Sequence, residues 1–369
     1  MSEKLRIGLL GYGKVANLHA EAAQALTSGC LVSVAGRSRE KRNEFAAKWN
    51  TGSRDTAAEM AALDKVDLVI VATPHPQHRE GVLEALASGC HVLVEKPMAI
   101  NVAQCDEMMA AAKKAGKYLS VVSQRRWFPA CRRIKEAINS GKLGKPCLLQ
   151  LSILCWRDEA YYKSDPWRGK WNTEGGGILI NQAAHQIDLM NWYMGSIEEI
   201  RGYWDNFNHP YIEVEDSAVA ILKFSNGGLG SVLASNSQKP GIYAKVHVHG
   251  TNGASAGVQT DGGAMFIAGV SGITEPPLND LWTIPGEEKL LEKFRSEDEA
   301  FFKNLEARSA ATTYHFTRQI DDLCQSIIEE KAPHVSAEDG RETVRFIETM
   351  YSLGGALGYK NAANTSDSQ

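Results

Sequence analysis

Three groups of residues have the types and spacing to do chemistry. Gly11-Tyr12-Gly13-Lys14-Val15-Ala16 is a G-x-G-x-x-A motif that follows the strand-like run Leu5–Leu10 and opens a helical segment. There Gly11 permits a tight turn, Gly13 lets backbone N–H groups approach a pyrophosphate, Ala16 allows close helix–strand packing, and the helix dipole favours the anion. Asn181, His185 and Asp188 fall at i, i+4 and i+7 of a helix read over Ile178–Met194, which places them on one face, expected to line a cleft. Between Cys155 and Gly175 stand Trp156, Arg157, Tyr161, Tyr162, Asp165, Trp167, Arg168 and Trp171, with Arg125 and Trp127 just upstream. Flat aromatics beside Arg, Asp and Asn suit the apolar C–H faces and fanned hydroxyls of a sugar; the same aromatics could form a hydrophobic plug or a subunit contact.

These groups need a scaffold, and the chain alternates accordingly. Leu5–Leu10, Leu31–Ala35, Asp67–Thr73, His91–Glu95 and Tyr118–Val122 read as strands, while Asn17–Thr27, Arg39–Trp49, Glu80–Ser88 and Ala103–Ala115 read as helices. The alternation predicts an α/β, doubly wound parallel sheet of Rossmann type over residues 1–123, because parallel neighbours need a crossover helix. From Gln124 the pattern changes to a helix at Ala130–Asn139, then strands at Cys147–Cys155, Ile197–Asn206, Ser217–Phe224, Leu229–Asn236 and Tyr243–His249. With helices at Ile178–Met194, Tyr314–Glu330 and Ala337–Leu357 and a small polar tail after Lys360, residues 124–369 read as an α+β domain whose strands, several joined by Gly-rich hairpin turns, form a mostly antiparallel sheet.

Bulk properties narrow the function. The 369 residues carry a formal charge of −4, too slight an imbalance to suggest nucleic acid or an anionic membrane as partner, so a small molecule is expected. The seven cysteines are scattered and never spaced Cys-x-x-Cys, which argues against a disulfide framework or zinc site and for a reducing, cytoplasmic setting. No apolar run reaches the roughly 20 residues needed to span a bilayer. His247 and His249 share a strand face without a third ligand nearby, which favours a structural role over a metal. The polar loop Asp205–Pro210 has no role readable from its residues.

The strand Leu31–Ala35 ends in Gly36-Arg37-Ser38-Arg39, without the acidic residue that selects NAD; Arg37 and Ser38 could receive a 2′-phosphate, or the arginines could simply open an exposed helix. The cofactor is therefore read as NAD or NADP. Ala72-Thr73-Pro74-His75-Pro76-Gln77-His78, Glu95-Lys96-Pro97, and Gly175-Gly176-Gly177 leading to His185-Gln186-Ile187-Asp188 complete a set that resembles, over nearly the whole chain, the Gfo/Idh/MocA oxidoreductases, among them glucose-fructose oxidoreductase and inositol dehydrogenase.

The resemblance implies hydride transfer between nicotinamide and a hydroxyl-bearing carbon: an aldose at C1, a glycoside at C3, or a cyclic polyol. It implies cofactor contacts from Gly11, Gly13, Lys14, Val15, Thr73, Pro74, His78, Glu95 and Lys96, alongside Arg37 and Ser38, and catalysis by Lys96 with His185 as proton-handling partner. Desolvation near a cationic nicotinamide would lower the Lys96 pKa into a useful range. Substrate contacts are expected from Asn181, Asp188, Arg125, Trp156, Arg157, Tyr161 and Trp167. Many members carry Asp where this chain has Asn181, which can hydrogen-bond a hydroxyl but cannot move a proton. Asn181-Gln182 and His247-Val248-His249-Gly250 are similar to bacterial dehydrogenases of branched aldoses such as apiose, which would favour NAD. The resemblance further implies that residues 124–369 carry a large, mostly antiparallel open sheet for substrate binding and oligomerisation, giving a homodimer or homotetramer; the alternative activity within the family is an NAD-dependent redox-neutral glycosidase.

Overall fold

Leu68–Val71 is apolar at every position and buried at every position, as a strand covered on both faces must be. In the computed structural model, which describes residues 4–263, 274–308, 310–311 and 313–353, this strand (β4) is central to a six-stranded sheet. The strands β1 (Leu5–Leu10), β2 (Gly29–Ala35), β3 (Gly52–Arg54), β4, β5 (His91–Val94) and β6 (Leu119–Val121) lie in the order 3-2-1-4-5-6, all parallel. Helices α1 (Lys14–Gln24), α2 (Arg39–Trp49), α3 (Ala57–Asp64), α4 (His78–Ala87) and α5 (Val102–Ala115) connect them. The expected strands and helices are present; β3 and α3 are additional. β3 is a three-residue edge strand and α3 spans eight residues, too short for a clear period.

The second half begins with α6 (Pro129–Asn139), β7 (Pro146–Leu154), α7 (Glu159–Lys163), α8 (Ile178–Asn181) and α9 (Ala184–Met194). It continues through β8 (Ile197–Asp205), β9 (Ser217–Phe224), β10 (Leu229–Ser235), β11 (Tyr243–Gly250), β12 (Ser255–Gly263), β13 (Thr274–Glu275) and β14 (Leu278–Trp282), and ends in α10 (Leu290–Ala307), α11 (Tyr314–Ile328) and α12 (Ala337–Leu353). Its sheet runs 13-12-11-7-10-9-8 with β14 on β12; the β7–β10 pair is parallel and the other pairs are antiparallel. This is the mostly antiparallel sheet that the patterning predicts. Glycine-rich β12 and the charged α10, in which Asp298 and Leu305 are the buried positions, carry weak periodic signals and were not expected. The end of the helix expected through Leu357, and the tail beyond Lys360, lie outside the described residues.

One face of the second sheet packs on α6, α8, α9 and α12 in a single core. The last two helices strap both halves together: Phe316, Ile320 and Leu323 of α11 share a core with Ile7, Leu9 and Ala16, and Val344 of α12 joins the core of β5 and α5 while Phe346 and Met350 join the other. A buried ion pair reinforces the junction. Arg126, in a tight helical turn at Gln124–Trp127, donates to Asp188 of α9 through Nε (2.9 Å) and Nη2 (2.7 Å) and to Asp339 of α12 (2.9 Å). Its guanidinium also lies 5.3 Å from the Trp192 ring.

Removing one partner of such a pair leaves a buried charge under-compensated. Asp188→Ala is expected to lower unfolding free energy by about 3 kcal/mol in urea titration; a loss below about 0.5 kcal/mol would mean that Asp339 alone satisfies Arg126.

Candidate active site

The turn after β1 is shaped for a diphosphate. Gly11 has φ +118°, and a Cβ there would stand 2.6 Å from the Ala72 carbonyl oxygen, so glycine is required for the close approach of β1 and β4 loops. Gly13, the N-cap of α1, faces open space: a Cβ there would meet nothing within 4 Å. No side chain caps α1 and no acidic residue occupies its first turn, which leaves the N-terminal N–H groups to a ligand. Val15 is 39% exposed beside them, and Thr73 Oγ1, across the same cleft, is buried without a hydrogen-bond partner. A dinucleotide fits these features: phosphate on the helix end, an acceptor or donor for Thr73, and apolar cover for Val15.

The cleft is lined by Gly13, Lys14, Val15, Thr73, Pro74, His75, Glu95 and Lys96 from the first half and by Asp165, Trp167, Arg168 and Asn181 from the second. Lys96 lies at its floor, after β5, with a cis bond to Pro97. Its Nζ donates 2.9 Å to the main-chain oxygen of Asn181. That oxygen is available because the expected single helix is broken: α8 ends at Asn181 and α9 starts at Ala184, so Asn181 and His185 do not stack as i and i+4 on one helix. Both residues still converge on Lys96, since His185 lines a small void with Lys96, Pro97 and Ser123. Burial, opposed by Glu95 and aided by Arg125 and Arg168, lowers the Lys96 pKa to about 8. Burial, then the charges of Arg125 and Lys96, holds the His185 imidazole well below its ordinary pKa, so it is neutral near pH 7.

Several expected site residues are committed elsewhere. Asp188 lines the small void beside Lys96 and His185, but its carboxylate is not free, because both of its oxygens accept from Arg126. Arg125 is buried against Asp261 and Thr260, leaving it no open fork for a substrate. Glu95 accepts from His19 at 2.7 Å and from the Lys96 N–H at 3.1 Å. His78 sets both ring nitrogens against carbonyls, Pro97 at 2.8 Å and Thr73 at 2.9 Å, and so braces the Lys96-Pro97 junction rather than offering a nitrogen to a cofactor. Ser38 Oγ caps α2 by accepting from Lys41 N at 3.4 Å, whereas Arg37 is exposed and has no ion-pair partner among the described residues. Trp156 packs on His209, and Arg157 donates to the Trp156 carbonyl and leans on Tyr161; neither lines the cleft. The Asp205–Pro210 loop acquires a role through His209, which is fully buried, faces Asp216 at 2.9 Å and donates to the Arg157 carbonyl at 2.7 Å, pinning the aromatic segment.

Sequence reasoning missed Glu174. Fully buried just before the glycine run, it accepts from Gly169 N (2.6 Å) and from Asn181 Nδ2, and its carbonyl meets His75 Nδ1 at 3.3 Å. Its charged type beside three glycines, in a stretch without helical period, was the available signal. Gly177 of that run admits no side chain because the Glu215 backbone fills the space where a Cβ would go. Trp167 stacks 4.8 Å from His75, so the second-half wall rests on the first-half loop through an aromatic contact as well as through Glu174.

Comparison with known proteins agrees with this geometry. Residues 5–123 match the model described as "Oxidoreductase family, NAD-binding Rossmann fold", and residues 131–256 match "GFO/IDH/MocA C-terminal domain". Trans-1,2-dihydrobenzene-1,2-diol dehydrogenase of Mus musculus is 30% identical over 68% of this chain and 73% of its own length. Myo-inositol 2-dehydrogenase of Thermotoga maritima is 27% identical over 68% of this chain and 74% of its own. Among solved structures, the WlbA dehydrogenase from Bordetella pertussis in complex with NADH and UDP-GlcNAcA has the same fold, with TM-score 0.78 and 24% identity over 95% of this chain and 96% of that one.

Gly13→Val tests the cradle. The backbone at Gly13 (φ −77°, ψ −169°) is open to any residue and a Cβ there meets no protein atom within 4 Å, so the melting temperature should stay within a few degrees of wild type. Dissociation constants for NADH and NADPH, followed by fluorescence titration, should rise about tenfold or more, because the side chain occupies the phosphate approach.

Proposed function

The chain belongs to the GFO/IDH/MocA oxidoreductase family and is an NAD(P)-dependent oxidoreductase of CH–OH groups, and we propose that its substrate is a sugar or cyclic polyol: an aldose oxidised at C1, a glycoside at C3, or an inositol. The observation that carries the reading is that Lys96 shares one void with His185 and also lines the cleft that contains the phosphate cradle. In this reading residues 1–123 hold the dinucleotide and residues 124–369 present the substrate.

The bound cofactor supplies the hydride acceptor at its nicotinamide. Lys96 Nζ, neutral above about pH 8, takes the proton of the hydroxyl whose carbon gives up hydride. The Asn181 carbonyl holds Nζ in place whether the amine is charged or neutral, since both forms donate. His185, neutral near pH 7 and without a hydrogen-bond partner among the described residues, is free to hydrogen-bond the substrate hydroxyl. Asn181 offers its main chain to Lys96 and its amide to the wall, so the Asp-to-Asn difference does not remove the lysine's anchor. Exposed Arg37 at the end of β2 favours the 2′-phosphate of NADP.

Absorbance at 340 nm with NAD and with NADP, against aldoses, glycosides and inositols, tests the substrate class and the cofactor together. Oxidation should rise with pH through an inflection near 8, because Lys96 must lose its proton to act as base, and reduction of the ketone or lactone should fall through the same inflection. Lys96→Met should lower kcat by roughly 10²–10⁴-fold and remove the inflection; full activity in that variant would overturn the mechanism. Cofactor binding with release of free sugar and no net absorbance change would indicate the redox-neutral glycosidase instead.

We also propose that the chain pairs with a second copy through the outer face of its open sheet. The alternation of β8, β9 and β10 turns Tyr203, Val219, Ile221, Leu229 and Leu233 outward, each at least 44% exposed, as a contiguous apolar stripe. Light scattering should give a dimer or tetramer mass for the wild type and a smaller species for Ile221→Glu; a monomeric wild type would refute the pairing.

A further inference from the structure

The hydroxyl of Tyr161 is surrounded by donors. Arg168 Nη1 donates to it at 2.7 Å, Asn181 Nδ2 at 3.0 Å and Gln182 Nε2 at 3.1 Å. On the far side, Asn181 Nδ2 also faces the Glu174 carboxylate, which fixes the Asn181 amide, and Gln182 Oε1 accepts from Asn236 Nδ2 at 3.3 Å, while Asn236 Oδ1 is buried without a partner. A phenol oxygen has two lone pairs and one proton, so the three donors compete for two acceptor positions while the phenol keeps its own proton to donate. No described residue accepts that proton. Burial keeps it attached, raising the phenol pKa against the lowering charge of Arg168.

The surroundings hold the group in place. The Arg168 guanidinium lies 4.4 Å from the Tyr161 ring and 4.4 Å from the Trp167 ring, while its Nε donates 3.2 Å to Asp165. Tyr161 is partly exposed and stands one hydrogen bond behind the cleft wall: Arg168 and Asn181, which bond its hydroxyl, line the cleft together with Trp167 and Lys96. Asn181 thereby touches both groups, Lys96 Nζ through its carbonyl and Tyr161 Oη through its amide. A donor left unpaired beside a cleft costs free energy until a ligand accepts from it.

We propose that Tyr161 is a specificity-determining donor of this site: its O–H bonds an oxygen of the substrate, and Arg168, Asn181 and Gln182 aim it. The inference rests on the dehydrogenase reading above and adds to it the kind of contact that selects the substrate. The recognised atom is a hydroxyl, ring or carbonyl oxygen, and an analogue with hydrogen at that position gives the phenol nothing to bond.

The test is a cycle in which enzyme and substrate are each trimmed of one oxygen. Wild type and Tyr161→Phe are assayed with the best sugar or polyol of the panel and with its monodeoxy analogues, recording kcat, KM and the dissociation constant of the reduced cofactor. For one analogue, wild type should lose about tenfold in kcat/KM, chiefly through KM. Tyr161→Phe should lose about as much with the parent and little more with that analogue, its cofactor affinity unchanged. Losses that multiply for every analogue would mean that Tyr161 is structural and would overturn the proposal. If Tyr161→Phe does not fold, Gln182→Glu replaces a donor with an acceptor that captures the phenol proton. The same analogue should then lose its penalty, and a penalty retained in full would count against the proposal. A wild type inactive on every sugar and polyol would overturn the dehydrogenase reading itself, a result distinct from an active wild type that Tyr161→Phe matches.

Discussion

The site depends on one hydrogen bond across the cleft, from Lys96 Nζ to the main-chain oxygen of Asn181. A lysine after a buried strand has four rotatable bonds and would spread over many positions if nothing held its head. The Asn181 carbonyl holds it, and can do so only because α8 stops there; in a continuous helix that oxygen would belong to the N–H of His185. The acceptor is neutral, which matters for chemistry. A carboxylate would lock the ammonium in its charged form, whereas a carbonyl positions the amine and leaves burial free to bring its pKa to about 8.

Around that bond, most buried charges are paired with one another. Arg126 holds Asp188 and Asp339, Arg125 holds Asp261, and Glu95 faces His19. Each pair ties elements from distant parts of the chain and keeps its charge from floating free near the cleft. Their fields still reach it: Arg125 lowers the pKa of both Lys96 and His185 without touching a ligand. The arrangement separates structural charges, satisfied within the protein, from groups such as Lys96, His185, Thr73 and Tyr161, which keep bonding capacity that the protein itself does not use.

Legibility from sequence followed the range of the forces involved. The phosphate turn was readable because its requirement is local: glycine where φ is +118° and where a backbone must approach, then a helix start. The parallel strands were readable because burial on both faces writes an uninterrupted apolar run. Strand β3, a three-residue edge, and β12, glycine-rich and held by its neighbours, carry no such local mark. Asp188 and Arg125 illustrate the limit of residue type as a guide. Their types suited substrate binding, but a partner 62 residues away for one and 136 for the other consumed their hydrogen bonds.

The sequence by itself determined that this chain builds a dinucleotide-binding sheet followed by a mostly antiparallel one, and it marked Asn181, His185 and Asp188 as one group and Lys96 as another. Periodicity and glycine placement are properties of neighbouring residues, and the motifs are ordered along the chain. Only the tertiary structure decided which polar groups remain available. It broke the helix at Gln182 to free a carbonyl, set both nitrogens of His78 against main-chain oxygens, paired Asp188 with Arg126, and crowded three donors onto Tyr161. The physical reason is that hydrogen-bond satisfaction is settled by whatever lies within about 3 Å in space, and spacing along the chain carries little information about that.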